Sequence, residues 1–183
     1  MEINLSEWKK GLQKWAENNN SSVKIIKNAP VGSFFNYYTA EILINWSNNI
    51  IQFNQNAVDG RILSPSHLIF ETKTPININC SLSIYPKSFF AKLLGITKIK
   101  TGNKKFDNKF GIYTTNREFA TYFFSNEKIQ TLFLKNKFLV FNIQKKKSLI
   151  TFKSMETKFY IESELQKILD DFIFILNLLE KYK

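Results

Sequence analysis

The chain predicts an α+β fold: a mostly antiparallel sheet with an N-terminal amphipathic helix, short middle helices and a long C-terminal helix. Three observations carry that expectation. Apolar residues recur at spacings of three and four near both ends of the chain, as on one face of a helix. Between them lie stretches of two-residue alternation broken by turn residues, the pattern of half-buried strands. The regular strand–helix–strand alternation of a nucleotide-binding sheet is missing, and none of the six glycines forms a phosphate-cradling loop.

In order along the chain, Leu5, Trp8, Leu12 and Trp15 mark the first helix, with Asn4 or Ser6 as its cap and residues 18–22 as its end. A strand is expected at 23–26, then a break at Pro30 and Gly32. Residues 37–46 read as a strand, with Ile42, Ile44 and Trp46 on one side, and 50–53 as the next. Asp59-Gly60 is a tight-turn dipeptide leading a hairpin into 61–63. Pro65 is expected to interrupt, with a strand from His67 to Thr72. Ile76, Ile78, Cys80, Leu82 and Ile84 alternate with polar residues. Residues 87–94 suit a short helix and 110–114 a strand. Asn116 caps a helix over 117–124, and 127–134 forms another. Strands are expected at 138–143, 149–152 and 158–161. Ser163 caps the last helix, whose core stripe is Leu165, Ile168, Leu169, Phe172, Ile173, Leu176 and Leu179.

At 183 residues the chain is expected to form a single domain over 1–183, burying roughly 70% of its unfolded surface. No secretory leader is read at the start, and the longest apolar run, Phe172 to Leu176, is far short of the roughly 20 residues that cross a bilayer. One cysteine allows no internal disulfide, so a reducing, cytoplasmic setting is expected. The net charge is +11. Two sources compete for it. An anionic partner is one. The other is codon bias, because 24 Lys, 20 Asn, 22 Ile and 18 Phe all use A/T-rich codons, while arginine is held to Arg61 and Arg117.

The block Gly102, Phe106-Asp107-Asn108-Lys109-Phe110, Ile112-Tyr113-Thr114, followed by two amphipathic segments and then strands, resembles a set of uncharacterised bacterial domains with a Gly…Phe-Asp-x-x-Phe core. The resemblance covers about the C-terminal half of the chain. It implies a fold and no activity.

Little catalytic chemistry is available. A lone His67 and a lone Cys80 exclude a His/Cys zinc site of the usual kind, and no cofactor or metal is expected. His67 reads as a strand residue and Cys80 as a small buried side chain. Asp107 reads as a loop brace. Asp170 and Asp171 adjoin on a helix and diverge, Glu162 and Glu164 suit a helix N-terminus, and nothing in the spacing of Asp59, Glu71 and Glu118 brings them together. No catalytic residue is assigned. The lysines cluster twice, at Lys98, Lys100, Lys104, Lys105 and Lys109, and at Lys145, Lys146 and Lys147. Phe174, Ile175 and Leu178 exceed one stripe of the last helix and suggest a partner or homodimer face.

The expectation is therefore a non-enzymatic intracellular binding or accessory protein engaging an acidic protein partner, as an immunity-like or scaffold factor. Three alternatives stand beside it. Lysines would bind nucleic acid, with Phe106 and Tyr113 as stacking rings. Tyr37, Tyr38, Trp46 and His67 would line a small-molecule or enzymatic pocket. Trp8 and Trp15 would seat the first helix on a membrane surface.

Overall fold

The fold is α+β, and every registered strand pair is antiparallel. The structure, a computed structural model, describes residues 4–28, 35–59, 63–73, 80–87, 99–136, 139–156 and 158–182. The chain forms two compact units, one of residues 1–72 and 154–170, the other of residues 73–153 and 171–183.

The first unit opens with α1 (Leu5–Asn18), started by a reciprocal cap. Asn4 Oδ1 accepts the Glu7 N–H at 2.9 Å, and the Glu7 carboxylate takes the Asn4 N–H at 3.1 Å. The asparagine run ends the helix as expected, with Asn20 at φ 51°. Four strands follow in spatial order, β1 (Val23–Asn28), β2 (Asn36–Trp46), β3 (Asn49–Asp59) and β4 (Leu63–Lys73). Ala40, Ile42 and Ile44 of β2, Ile51, Phe53 and Ala57 of β3, and Leu68 and Phe70 of β4 are buried. Residues between them turn to the opposite face. Trp15 has no exposed surface, and its ring centroid lies 5.1 Å from Phe53 and 6.1 Å from Phe70. Its indole N–H donates to Gln166 Oε1 at 3.2 Å. Trp8 is buried likewise and donates to the buried Gln55 Oε1 at 3.3 Å.

Four expectations in this unit are corrected. β3 continues past Phe53 to Asp59, because its polar residues Asn54 and Asn56 belong to the open face while Gln55 is bonded inside. Pro65 does not interrupt β4. It pairs with Ala57 at a bulge between Gln55 and Ala57, a site where strands tolerate proline, and the Asn56 N–H donates to Ser66 Oγ at 3.0 Å. Residues 158–161 form no strand. They are held by side-chain tethers: Lys158 C=O accepts from Gln55, Lys158 Nζ reaches Glu164 at 3.0 Å, and Tyr160 shares a hydroxyl bond with Ser154 at 2.6 Å. Ser163 is not a cap, because the last helix, α5 (Glu162–Glu180), already includes it. Glu164 supplies the cap contact by accepting the Ile161 N–H at 3.2 Å.

The second unit contains β5 (Leu82–Pro86), α2 (Lys104–Lys109), β6 (Phe110–Thr114), α3 (Arg117–Ser125), α4 (Glu127–Lys135), β7 (Leu139–Gln144) and β8 (Leu149–Ser154), with strands ordered β8-β7-β5-β6. Asn103, Asn116 and Asn126 cap the three short helices with their side-chain oxygens. The core is phenylalanine-rich: Phe106 stacks on Phe110 at 5.0 Å, Phe133 meets Phe152 at 6.4 Å, and Phe152 stacks on Phe172 of α5 at 5.4 Å. The helix α2 was not foreseen, although Asn103 and the Phe106–Phe110 spacing are its signals. Gly102 turns at φ 86° as expected. The Gly60 turn, the alternation at 76–79, most of the helix expected at 87–94, and Phe138 lie outside the described residues.

Replacing Trp15 with Ala removes a filled core position and a partly buried hydrogen bond, and the expected loss is about 3–5 kcal/mol of unfolding free energy. Urea unfolding followed by far-UV circular dichroism measures it; a loss below about 1 kcal/mol contradicts the assigned packing.

Candidate partner-binding surface

The charge of the chain is divided unevenly between the two units. The second carries 18 Lys and Arg against 5 Asp and Glu, a net +13, and the first carries 8 against 10, a net −2. These make up the +11 of the whole chain. In the first unit the cations are partly neutralised in place: Lys14 Nζ lies 2.9 Å from Glu162, and Lys158 lies 3.0 Å from Glu164. Glu162 is held below its usual carboxylate range by the Lys14 hydrogen bond. In the second unit Lys100, Lys104, Lys105, Lys109, Lys145, Lys146 and Lys147 are all exposed, and none has a carboxylate within ion-pair distance among the described residues.

The two lysine clusters do not converge through the sheet. β5 is bonded to β6 on one side and to β7 on the other. Leu82 pairs with both Thr114 and Ile143, so the start of β5 lies beside the end of β6 and the end of β7. At that end sits the 3-10 turn Lys145–Lys147, whose first N–H donates to Ser81 Oγ at 3.4 Å. At the other end the Lys87 N–H donates to Lys109 C=O at 2.8 Å, and α2 with Lys104 and Lys105 runs into β6. The five residues of β5 lie between Ser81 and Lys87, six steps and about 20 Å of extended chain. Lys98 lies outside the described residues.

The face expected on the last helix is corrected in part. Ile175 has no exposed surface, because it lies three residues from Phe172 on the core stripe, whereas Ile173 is only half-buried. Phe174 is half-buried with Lys128 Nζ 4.3 Å above its ring, and Leu178 is half-buried.

The pocket alternative loses its geometry. Tyr37 and Tyr38 are neighbours on a strand and point to opposite faces, with Tyr38 buried. Trp46 lies nine residues from Tyr37 on the same strand, about 30 Å away. His67 is half-buried on β4, and its Nδ1 is buried with no hydrogen-bond partner. Asp59 pairs with Leu63 and Glu71 with Gln52, seven residues apart on β3, so these two acids stay apart. No group of three His, Cys, Asp or Glu comes together among the described residues. Trp8 and Trp15 are buried, Trp15 against Phe53 and Phe70 of the first unit's strands, and no described helix is long and apolar enough to cross a membrane.

Asp107 lies in the first turn of α2 rather than in a loop, and braces the preceding turn by accepting the Thr101 N–H at 2.9 Å and hydroxyl at 2.8 Å. Sequence reasoning missed one feature, an open hollow of about 620 Å³ lined by Asn18, Asn19, Ile161, Glu162, Ser163 and Gln166. Its polar groups are bonded to one another, Asn19 to Gln166 and Asn18 to Glu162. No family model matches the chain, and neither a curated protein nor a solved structure matches it.

Cys80 is buried, and burial pushes its thiol up to about 11 while Lys145 pulls the other way. At pH 8 only about a thousandth of it is thiolate, so the folded protein is expected to react very slowly with a disulfide reagent and quickly once denatured. Rapid labelling of the folded chain contradicts that placement.

Proposed function

We propose that the chain is a non-enzymatic cytoplasmic binding or accessory module whose basic unit engages an acidic protein partner, in an immunity-like or scaffolding role. The division of charge carries this reading. Codon bias raises lysine along a whole chain and does not leave one unit at −2 and its neighbour at +13. A unit with that excess and exposed, unpaired lysines sets up a field that attracts an anionic surface and speeds its encounter. The shortage of arginine supports a protein over a nucleic acid, because lysine is a point charge without the fork that reads base edges. Phe106, a candidate stacking ring, is fully buried and adds to that preference.

Crosslinking in the native cell, followed by purification of the full chain and mass spectrometry, tests this. The expected result is an acidic protein recovered in near-stoichiometric amount and linked through lysines of the second unit. Recovery of nucleic acid, or of no protein near stoichiometry, overturns the proposal.

A further inference from the structure

We infer that the acidic partner is held at one end of the second unit, by the Lys145–Lys147 turn together with Arg117, and that it supplies an extended acidic segment that wraps around that turn. The inference rests on the acidic-partner reading above and names its surface and the form of its ligand.

Three segments meet at this end. The Ser81 N–H donates to Thr115 Oγ1 at 2.9 Å, and the Thr115 N–H returns a bond to Ser81 C=O at 3.0 Å. The Lys145 N–H donates to Ser81 Oγ. Arg117 opens α3 two residues after Thr115. Four exposed cations therefore sit on neighbouring connections anchored to one serine, with Glu118 the carboxylate on the same first helical turn.

The turn sets the shape of the ligand. A 3-10 segment has three residues per turn, so the side chains of Lys145, Lys146 and Lys147 fan out about 120° apart. Ser148, at φ 47°, closes the turn with its N–H on Lys145 C=O at 3.2 Å. A rigid duplex meets one or two of three splayed ammonium groups. A flexible carboxylate-bearing chain reaches all three by bending around them. Among the described residues, the rings on the neighbouring segments are already engaged. Phe119 is fully buried, and Tyr113 is stacked against Tyr85 with centroids 5.1 Å apart. A single strand of nucleic acid therefore gains only its phosphate contacts there. The α2 cluster is about 20 Å away along β5 and has an acid, Asp107, within its own helix.

The test uses the full chain with poly-L-glutamate and with single-stranded DNA of equal total charge, each followed by fluorescence anisotropy at low salt. Two variants are compared, K145E/K146E/K147E and K104E/K105E/K109E. Both change exposed side chains only, and equal far-UV circular dichroism and melting temperature establish that each is folded. The expected result is polyglutamate binding that weakens about tenfold or more in the turn variant and less than about threefold in the α2 variant. Equal losses in the two variants overturn the inference and leave the acidic-partner reading standing. Tighter binding of DNA than of polyglutamate, or no binding of polyglutamate by the unaltered chain, overturns both.

Discussion

The position of β5 between two antiparallel neighbours governs the second unit. A strand bonded on both sides fixes which ends of β6 and β7 lie together. The connection from β6 into α3 and the turn from β7 into β8 are thereby brought to Ser81. The same pairing sends α2 to the far end, where Lys87 meets Lys109. Side-chain alternation follows from the ladder: Leu82 and Ile84 face the core with Phe141 and Ile112, while Ser83, Tyr85 and Tyr113 take the opposite face. Gly111 belongs to this arrangement as well. A Cβ there would stand 3.2 Å from the Tyr85 ring, closer than that ring tolerates without shifting.

Packing around these ladders is aromatic and nearly dry of unbonded polar groups. The first unit is centred on Trp15, Phe53 and Phe70, and the second on a run of phenylalanines extending to Phe172. Polar side chains that enter the interior bring partners with them. Gln55 serves Trp8 and the Lys158 carbonyl, Gln130 donates to the Phe124 carbonyl at 2.7 Å, and Thr72 donates to Ile50 at 2.9 Å. Among the described residues, His67 Nδ1 is the buried side-chain nitrogen or oxygen left without a partner. Such bonding matters because an unpaired polar group inside costs far more than its bond returns.

Local signals were legible in the sequence, and non-local ones were not. β6, α3 and α4 match their expected spans within about two residues, since asparagine caps and short periodic runs declare themselves over a few positions. The continuation of β3 was hidden because its outward residues are asparagines, poor strand formers that pairing overrides. Pro65 misled because the bulge that accommodates it lies in the partner strand. Residues 158–161 carry the aromatic and β-branched side chains of a strand, yet side-chain tethers hold them in another conformation. The last helix was located correctly, and of its expected stripe Leu165, Ile168, Leu169, Phe172, Leu176 and Leu179 are buried; Ile173 alone is not, and Ile175, expected outside the stripe, is. For the candidate surface, both lysine clusters were visible as sequence. Their separation depends on register, and the charge division depends on which residues share a unit, so neither could be read from spacing alone.

The central claim is that β5 holds the two basic clusters at opposite ends of one ladder. Spin labels at Lys109→Cys and Lys146→Cys, measured by pulsed electron resonance in the full chain, test it most directly. The native Cys80 is buried and takes no label under folding conditions. The account predicts a distance distribution centred above about 20 Å, the span of β5 and its flanking residues. A distribution centred below about 15 Å would place the clusters on a common patch and contradict the account.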